Sequence, residues 1–217
     1  GHVKMTYIEI VNSVLVRLRE EKVDTIDETE YSSLIGQLVN LAKVEVENSY
    51  NWEALRTTVH LITAVDTFHY ELLGTTSNIR TLDVYNASNR NWMNSRTTEW
   101  FDKMFAPDDV NTGSPHAYCF NGISDKGNVE VDIYPIPDKI EKLRFNMTSP
   151  QKALKSDGDV LYVPHELVVE NALARAIEER GEDGGSSNQE GRYQRLLADF
   201  ISMESSRKPM ETIWRSV

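Results

Sequence analysis

The sequence predicts an α+β protein. Two N-terminal and two C-terminal helices form an antiparallel helical bundle, a small β-barrel or sandwich is inserted between them, and an extended C-terminal tail follows. Three observations carry this. Apolar residues recur at three- and four-residue steps near both ends of the 217 residues, the period of an amphipathic helix. Between them lie short β-branched and aromatic runs separated by Gly and Pro, the signature of strands and turns. After Ser205 both patterns are lost. The expected boundaries are 5–55 and 151–205 for the two halves of the helical domain, 56–150 for the β domain and 206–217 for the tail.

The first helix opens on a capping box. Thr6 accepts from the Glu9 amide, and Glu9 reaches back. Ile8, Val11, Val14, Leu15 and Leu18 then share one face. A second helix begins where Asp27, Glu28 and Glu30 place negative charge at the positive end of the helix dipole. Its apolar stripe is Tyr31, Leu34, Ile35, Leu38, Leu41, Ala42 and Val46, and it runs to about Asn48. Trp52 is expected to pack back on the first helix.

Thr57–Thr63 and Thr67–Leu72 have the composition of half-buried strands, and Ala64 to Asp66 reads as a hairpin turn between them. Ile79–Tyr85, Ala117–Phe120, Val129–Tyr134 and Leu143–Thr148 read as further strands. Strict alternation over Val129–Ile133 predicts one buried face and one wet face. Thr98–Phe105 reads as a short helix with Trp100, Phe101, Met104 and Phe105 on its apolar side. Short strands at this spacing suggest a barrel or a sandwich.

Helix returns at Pro164, read as the first helical position, where a missing N–H costs nothing. Leu167, Val168, Asn171, Ala172, Leu173, Ala176 and Ile177 follow, and Gly181 is a natural stop. Residues 181–187 read as a polar loop. Ser187 to Glu190 reads as a second capping box, opening a last helix with Tyr193, Leu196, Leu197, Phe200, Ile201 and Met203.

Lys and Arg number 23 against 34 Asp and Glu, a formal charge of −11. The acidity is even, with 5 against 9 in residues 1–50, 9 against 13 in residues 51–150 and 9 against 12 in residues 151–217. That balance disfavours a DNA-binding module, which needs a basic patch to displace counterions. The one Cys, Cys119, excludes an internal disulfide and reads as a buried thiol. No apolar run approaches the roughly 20 residues of a membrane span. Gly1 to Lys4 read as a cloning remnant ahead of a natural start at Met5, with no signal peptide.

Chemistry-bearing patterns are sparse. His60 and His69 are either a metal pair across the proposed hairpin or ordinary cross-strand neighbours, the second being preferred. Asp157-Gly158-Asp159 reads as a turn rather than a cation loop, because the twelve-residue calcium pattern is missing. No phosphate-cradling Gly loop and no nucleophile elbow occur, so no catalytic residue, metal or cofactor is expected. Trp92, Met93, Trp100 and Phe101 are either β-domain core or a protein-contact patch, since Trp and Met are enriched at interface centres. Trp214, in the tail, is expected to dock on a partner.

Several stretches resemble one family. They are Ile10–Leu18, Leu38–Glu47, Asn51–Leu55 followed by Thr57 and Thr58, Tyr134–Asp138, the Val163-Pro164 helix start, and Ala174–Gly181 with the residues just after it. In this order they are similar to the head-to-tail adaptor of short-tailed phages, also called tail tubular protein A. The resemblance implies a ring of about twelve copies beneath the portal protein, whose helical domains line the DNA exit channel. It implies that the tail grips the portal through Arg207, Lys208, Met210, Ile213, Trp214 and Arg215. It implies that the β domain meets a nozzle protein of tail tubular protein B type, and in some relatives tail fibres, for which Trp92, Met93, Trp100 and Phe101 are the candidate contacts. The place implied is the virion head–tail junction, after synthesis in the host bacterial cytoplasm and with no membrane. Such a subunit is expected to be a monomer in solution whose tail resists proteolysis only with portal present. Twelve copies would bring roughly −130 around a channel through which DNA passes without sticking. The rival expectations are a receptor- or glycan-binding tail module built on the aromatic β domain, and a cell-wall-degrading enzyme with no carboxylate pair worth naming.

Overall fold

The computed structural model describes residues 3–181 and 185–207. Two compact units divide the chain, one made of residues 1–55 and 151–217, the other of residues 56–150. The fold is α+β, with five α-helices and two four-stranded sheets among the described residues.

In the helical unit, α1 spans Tyr7–Arg17 and opens on the expected capping box, Glu9 N donating to Thr6 Oγ1 at 3.5 Å and Thr6 N to Glu9 Oε2 at 3.3 Å. The next orphan amides are met by the returning chain: Tyr7 N donates to Asp159 O at 2.8 Å and Ile8 N to Asp157 O at 3.1 Å. Ile10, Val11, Val14 and Leu15 face the core, whereas Ile8 is only half-buried. The stretch Ile26–Glu28 is a short 3₁₀ turn, and Thr29 caps α2, Glu30–Ser49, through a reciprocal pair with Ser32 at 2.9 and 3.1 Å. The stripe of α2 is rotated from the expected one. Ile35, Val39, Ala42 and Val46 are buried with Lys43 and Glu47, while Leu41 is exposed. Trp52 is buried in the same core as the α1 face, its indole N–H donating to Val46 O at 2.7 Å.

Pro164 is the cap residue of α4, His165–Arg180, rather than its first helical residue, and the helix ends at Gly181 with φ 70°, where a side chain would be strained. The last helix, α5, covers Gly185–Ser206. Ser187 and Glu190 therefore lie inside it and form no capping box. Of the polar loop, residues 182–184 lie outside the described residues. Tyr193 is buried, while Met203 is exposed against expectation. Within this unit α4 packs on α2 and α5, and α1 packs on α2 and α4.

The β unit holds β1 (Arg56–Ile62), β2 (His69–Leu72), β3 (Arg80–Asn86), β4 (Asn91–Trp92), β5 (Asn94–Ser95), α3 (Thr98–Phe105), β6 (Ala117–Ile123), β7 (Val129–Tyr134) and β8 (Lys142–Thr148). One sheet has the order β1-β8-β3-β4 and the other β2-β7-β6-β5. All pairings are antiparallel except β5 with β6. Among the described residues the strands form two open sheets and no closed barrel. A core of Leu61, Val84, Leu143, Phe145 and Met147 from the first sheet and Leu72, Val131 and Ile133 from the second joins the two. The consecutive strands β1 and β2 are in different sheets, so Ala64–Asp66 is a crossover and not a hairpin turn. Asp66 takes φ 62° there, and its amide donates to Pro137 O at 2.9 Å. The wet face expected on β7 is covered at Asp132, which is buried.

Candidate functional site

In the β unit α3 is capped by Thr97, which accepts from Trp100 N at 3.1 Å. Its aromatic side is glued to β6 and β7. Phe101 is buried with Ala117, Cys119 and Tyr134, and Trp100 stands edge-on to Tyr134 at 5.3 Å between ring centres. The Arg96 guanidinium lies over the Trp100 ring at 5.4 Å, a geometry that favours a cation on the ring face. Trp100 is thus half-buried. Met93 is buried in the core between the sheets.

Of the four candidate contact residues only Trp92 is a surface group, 59% exposed. It pairs in register with Tyr85, and the two rings sit 4.8 Å apart. Arg144 lies over the Tyr85 ring at 5.2 Å. The result is an aromatic platform carried on a cation. Met93 and Phe101 belong to packing, so the four do not make one exposed patch. Among the tail candidates, Arg207 is exposed just past the end of α5. Lys208, Met210, Ile213, Trp214 and Arg215 lie outside the described residues.

His60 and His69 do not meet. His60 pairs with Arg144 in one sheet and His69 with Asp132 in the other. Instead His69 Nδ1 lies 2.5 Å from Asp132 Oδ1, and its Nε2 lies 3.1 Å from Glu130 Oε2. Asn121 donates to the other Asp132 oxygen at 2.8 Å. The bond to Asp132 above all, opposed by burial, holds the His69 imidazole above its ordinary pKa. The signal for this cluster was present in the alternation of β7, which puts Glu130 and Asp132 on one face, but only the sheet pairing brings His69 there. Cys119 lies directly across from Asp132, and burial pushes its thiol up, which leaves little thiolate.

The helical unit holds buried charge. Lys43 Nζ donates to Glu47 Oε1 at 2.9 Å and to Gln151 O at 2.7 Å, and Glu47 Oε2 accepts from Gln151 N at 2.7 Å. The returning chain is clamped at its first residue. Elsewhere Arg175 and Asn171 of α4 share the Glu45 carboxylate of α2 at 2.8 and 2.6 Å. Tyr193 of α5 lies close to that group, and burial first, then the charge of Glu45, pushes its phenol up to about 12. Asp157 and Asp159 build a turn. Asp159 accepts from Lys155 N and Ser156 N at 2.8 and 2.9 Å, and these bonds hold its carboxyl below the usual range. Among the described residues no group of three or more His, Cys, Asp or Glu is placed to hold a metal ion. No described helix is long and apolar enough to cross a membrane.

A family model described as SU10 adaptor protein matches residues 5–213. The chain belongs to the SU10 adaptor protein family. The match runs through both units, and with it the chain is a phage adaptor. No curated protein matches the sequence. Tail tubular protein A is a narrower identity than SU10 adaptor membership carries.

Proposed function

We propose that this SU10 adaptor is a structural head-to-tail connector of tail tubular protein A type, assembling as a ring beneath the portal and joining the capsid to the tail nozzle. The observation that carries the reading is the family match over residues 5–213, which takes in the helical unit, the β insertion and part of the tail. Two further observations support it. Each unit has its own core, so the two can meet different neighbours without losing their folds. The net charge of −11 suits a passage that DNA crosses without adhering. A closed ring needs two different flanks on each subunit, and closure sets the copy number, here proposed as about twelve. The helical domains are proposed to line the channel as antiparallel bundles, the tail to grip the portal, and the β unit to face the nozzle and, where present, fibres. The role is structural and asks for no catalysis, cofactor or metal.

The test is sedimentation of the full chain with and without rings of its portal protein. Co-migration with the portal supports the reading, and independent migration of the two refutes it.

One observation favours a second reading. Trp92, exposed and tilted against the Tyr85 ring, is the kind of surface aromatic on which a sugar ring can sit. Glycan-array binding that disappears on Trp92→Ala would support a glycan-binding β unit. An array without hits would remove that reading.

A further inference from the structure

The helical unit contains an apolar groove of about 460 Å³ beside the end of α5. Met5, Trp52, Leu161 and Val163 form its floor, and Phe200 and Met203 form the α5 wall. Trp52, Leu161 and Val163 are buried, whereas Met203 and the neighbouring Tyr162 are about half exposed. Lys4 Nζ covers the Tyr162 ring at 4.9 Å, and two carboxylates, Glu166 and Glu204, line the groove as well. Arg207, the last described residue, is part of the same lining.

We propose that this groove is the seat of the chain's own tail segment Met210–Trp214 in the unassembled subunit. Three observations select that occupant over any other. The ten residues 208–217 continue from Arg207, so the chain leaves α5 at the groove itself. An extended chain covers about 3.3–3.6 Å per residue, so Trp214 can reach any point within roughly 25 Å of Arg207. The segment also has the matching chemistry. Met210, Ile213 and Trp214 are its apolar side chains, matched to the apolar floor and wall of the groove, and the flanking cations Lys208 and Arg215 outnumber its one acid, Glu211, beside a lining that carries carboxylates. A large aromatic entering a preformed apolar cleft is the usual anchor of such contacts. Tethering keeps the effective concentration of the segment high, so a modest contact suffices.

The groove and the portal are then alternative sites for one segment. In the free subunit the tail covers its own apolar surface, and assembly transfers it. On this proposal the tail of the free subunit is partly protected from proteolysis before it meets the portal. The transfer step rests on the proposed portal-binding role, whereas the groove contact is tested without portal, and portal binding by the unmodified chain is read in a separate sedimentation experiment.

The test is cross-linking in the full chain with a short bismaleimide at low protein concentration. The pair Met203→Cys with Ile213→Cys is compared with Leu41→Cys plus Ile213→Cys, whose α2 position is exposed and does not line the groove. The expected result is an intramolecular product from the first pair in about fivefold or greater excess over the second, the ratio for a contact worth about 1 kcal/mol. Adding Trp214→Ser is expected to bring the first pair down to the level of the second. Equal yields from the two pairs overturn the proposal, as does a first-pair yield indifferent to Trp214→Ser. Covalent dimers whose fraction grows with concentration assign the groove to the tail of a second copy and overturn it too.

Discussion

A single substitution at the buried pair Lys43–Glu47 strands a charge in the core of the helical unit. Both side chains are 2% exposed, and between them they satisfy the amide and the carbonyl of Gln151. Lys43→Met keeps the length and apolar stem of the side chain but removes its charge. Glu47 then keeps a buried negative charge without its cation, and Gln151 O loses its donor. Breaking a buried pair in this way costs about 3–5 kcal/mol, against about 1 kcal/mol for a surface pair. For a unit of this size that lowers the melting temperature by roughly 10 °C or more. Adding Glu47→Leu removes the stranded charge, so the double variant is expected to recover part of the loss. The recovery is incomplete, because the amide of Gln151 then has no acceptor. The assay is urea unfolding followed by far-ultraviolet circular dichroism, with hydrogen exchange at the Gln151 amide as the local readout. A Lys43→Met cost below about 1 kcal/mol, or a double variant worse than the sum of the singles, would refute the reasoning.

His69 is raised chiefly by its bond to Asp132, so its contribution is fully present below its unfolded pKa of about 6.5 and fades as pH rises through the higher folded value. The side chain is 45% exposed, which limits the effect to under about 1 kcal/mol. An NMR titration in which Asp132→Asn leaves the His69 midpoint unmoved would contradict this. Phe145, fully buried at the centre of the β core, is expected to cost about 3–5 kcal/mol as Ala, measured by denaturant melting of the β unit. Thr29→Ala removes the cap of α2 and is expected to cost about 1 kcal/mol, read by the same urea titration.

Legibility differed by the range of the interaction. Local signals read well. The bounds of α3 were visible in Thr98–Phe105, the α1 cap in Thr6 and Glu9, and the stop of α4 in Gly181. The α2 cap was missed because Ser32 stands where a capping box usually has Glu or Gln. Long-range pairing was not readable. Thr58 bonds to Asn146, 88 residues away, so nothing near β1 says that its partner is β8 and not β2. The stripe of α2 misled because Lys43 and Glu47 neutralise one another and so can enter a core that their side chains alone would avoid. Asp132 and His69 hid for the same reason. The candidate contact residues show the limit of composition. Trp92 and Met93 are neighbours in sequence on opposite faces of one strand region, one exposed and one in the core.

In the proposed function this SU10 adaptor closes into a ring on a portal. Electron microscopy of the full chain mixed with its portal rings tests it most directly. A ring of the proposed kind gives an added layer of density with closed rotational symmetry on one face of the portal, its subunits countable at about twelve. Portal rings that remain bare beside monomeric adaptor, at concentrations where both are folded, would contradict it.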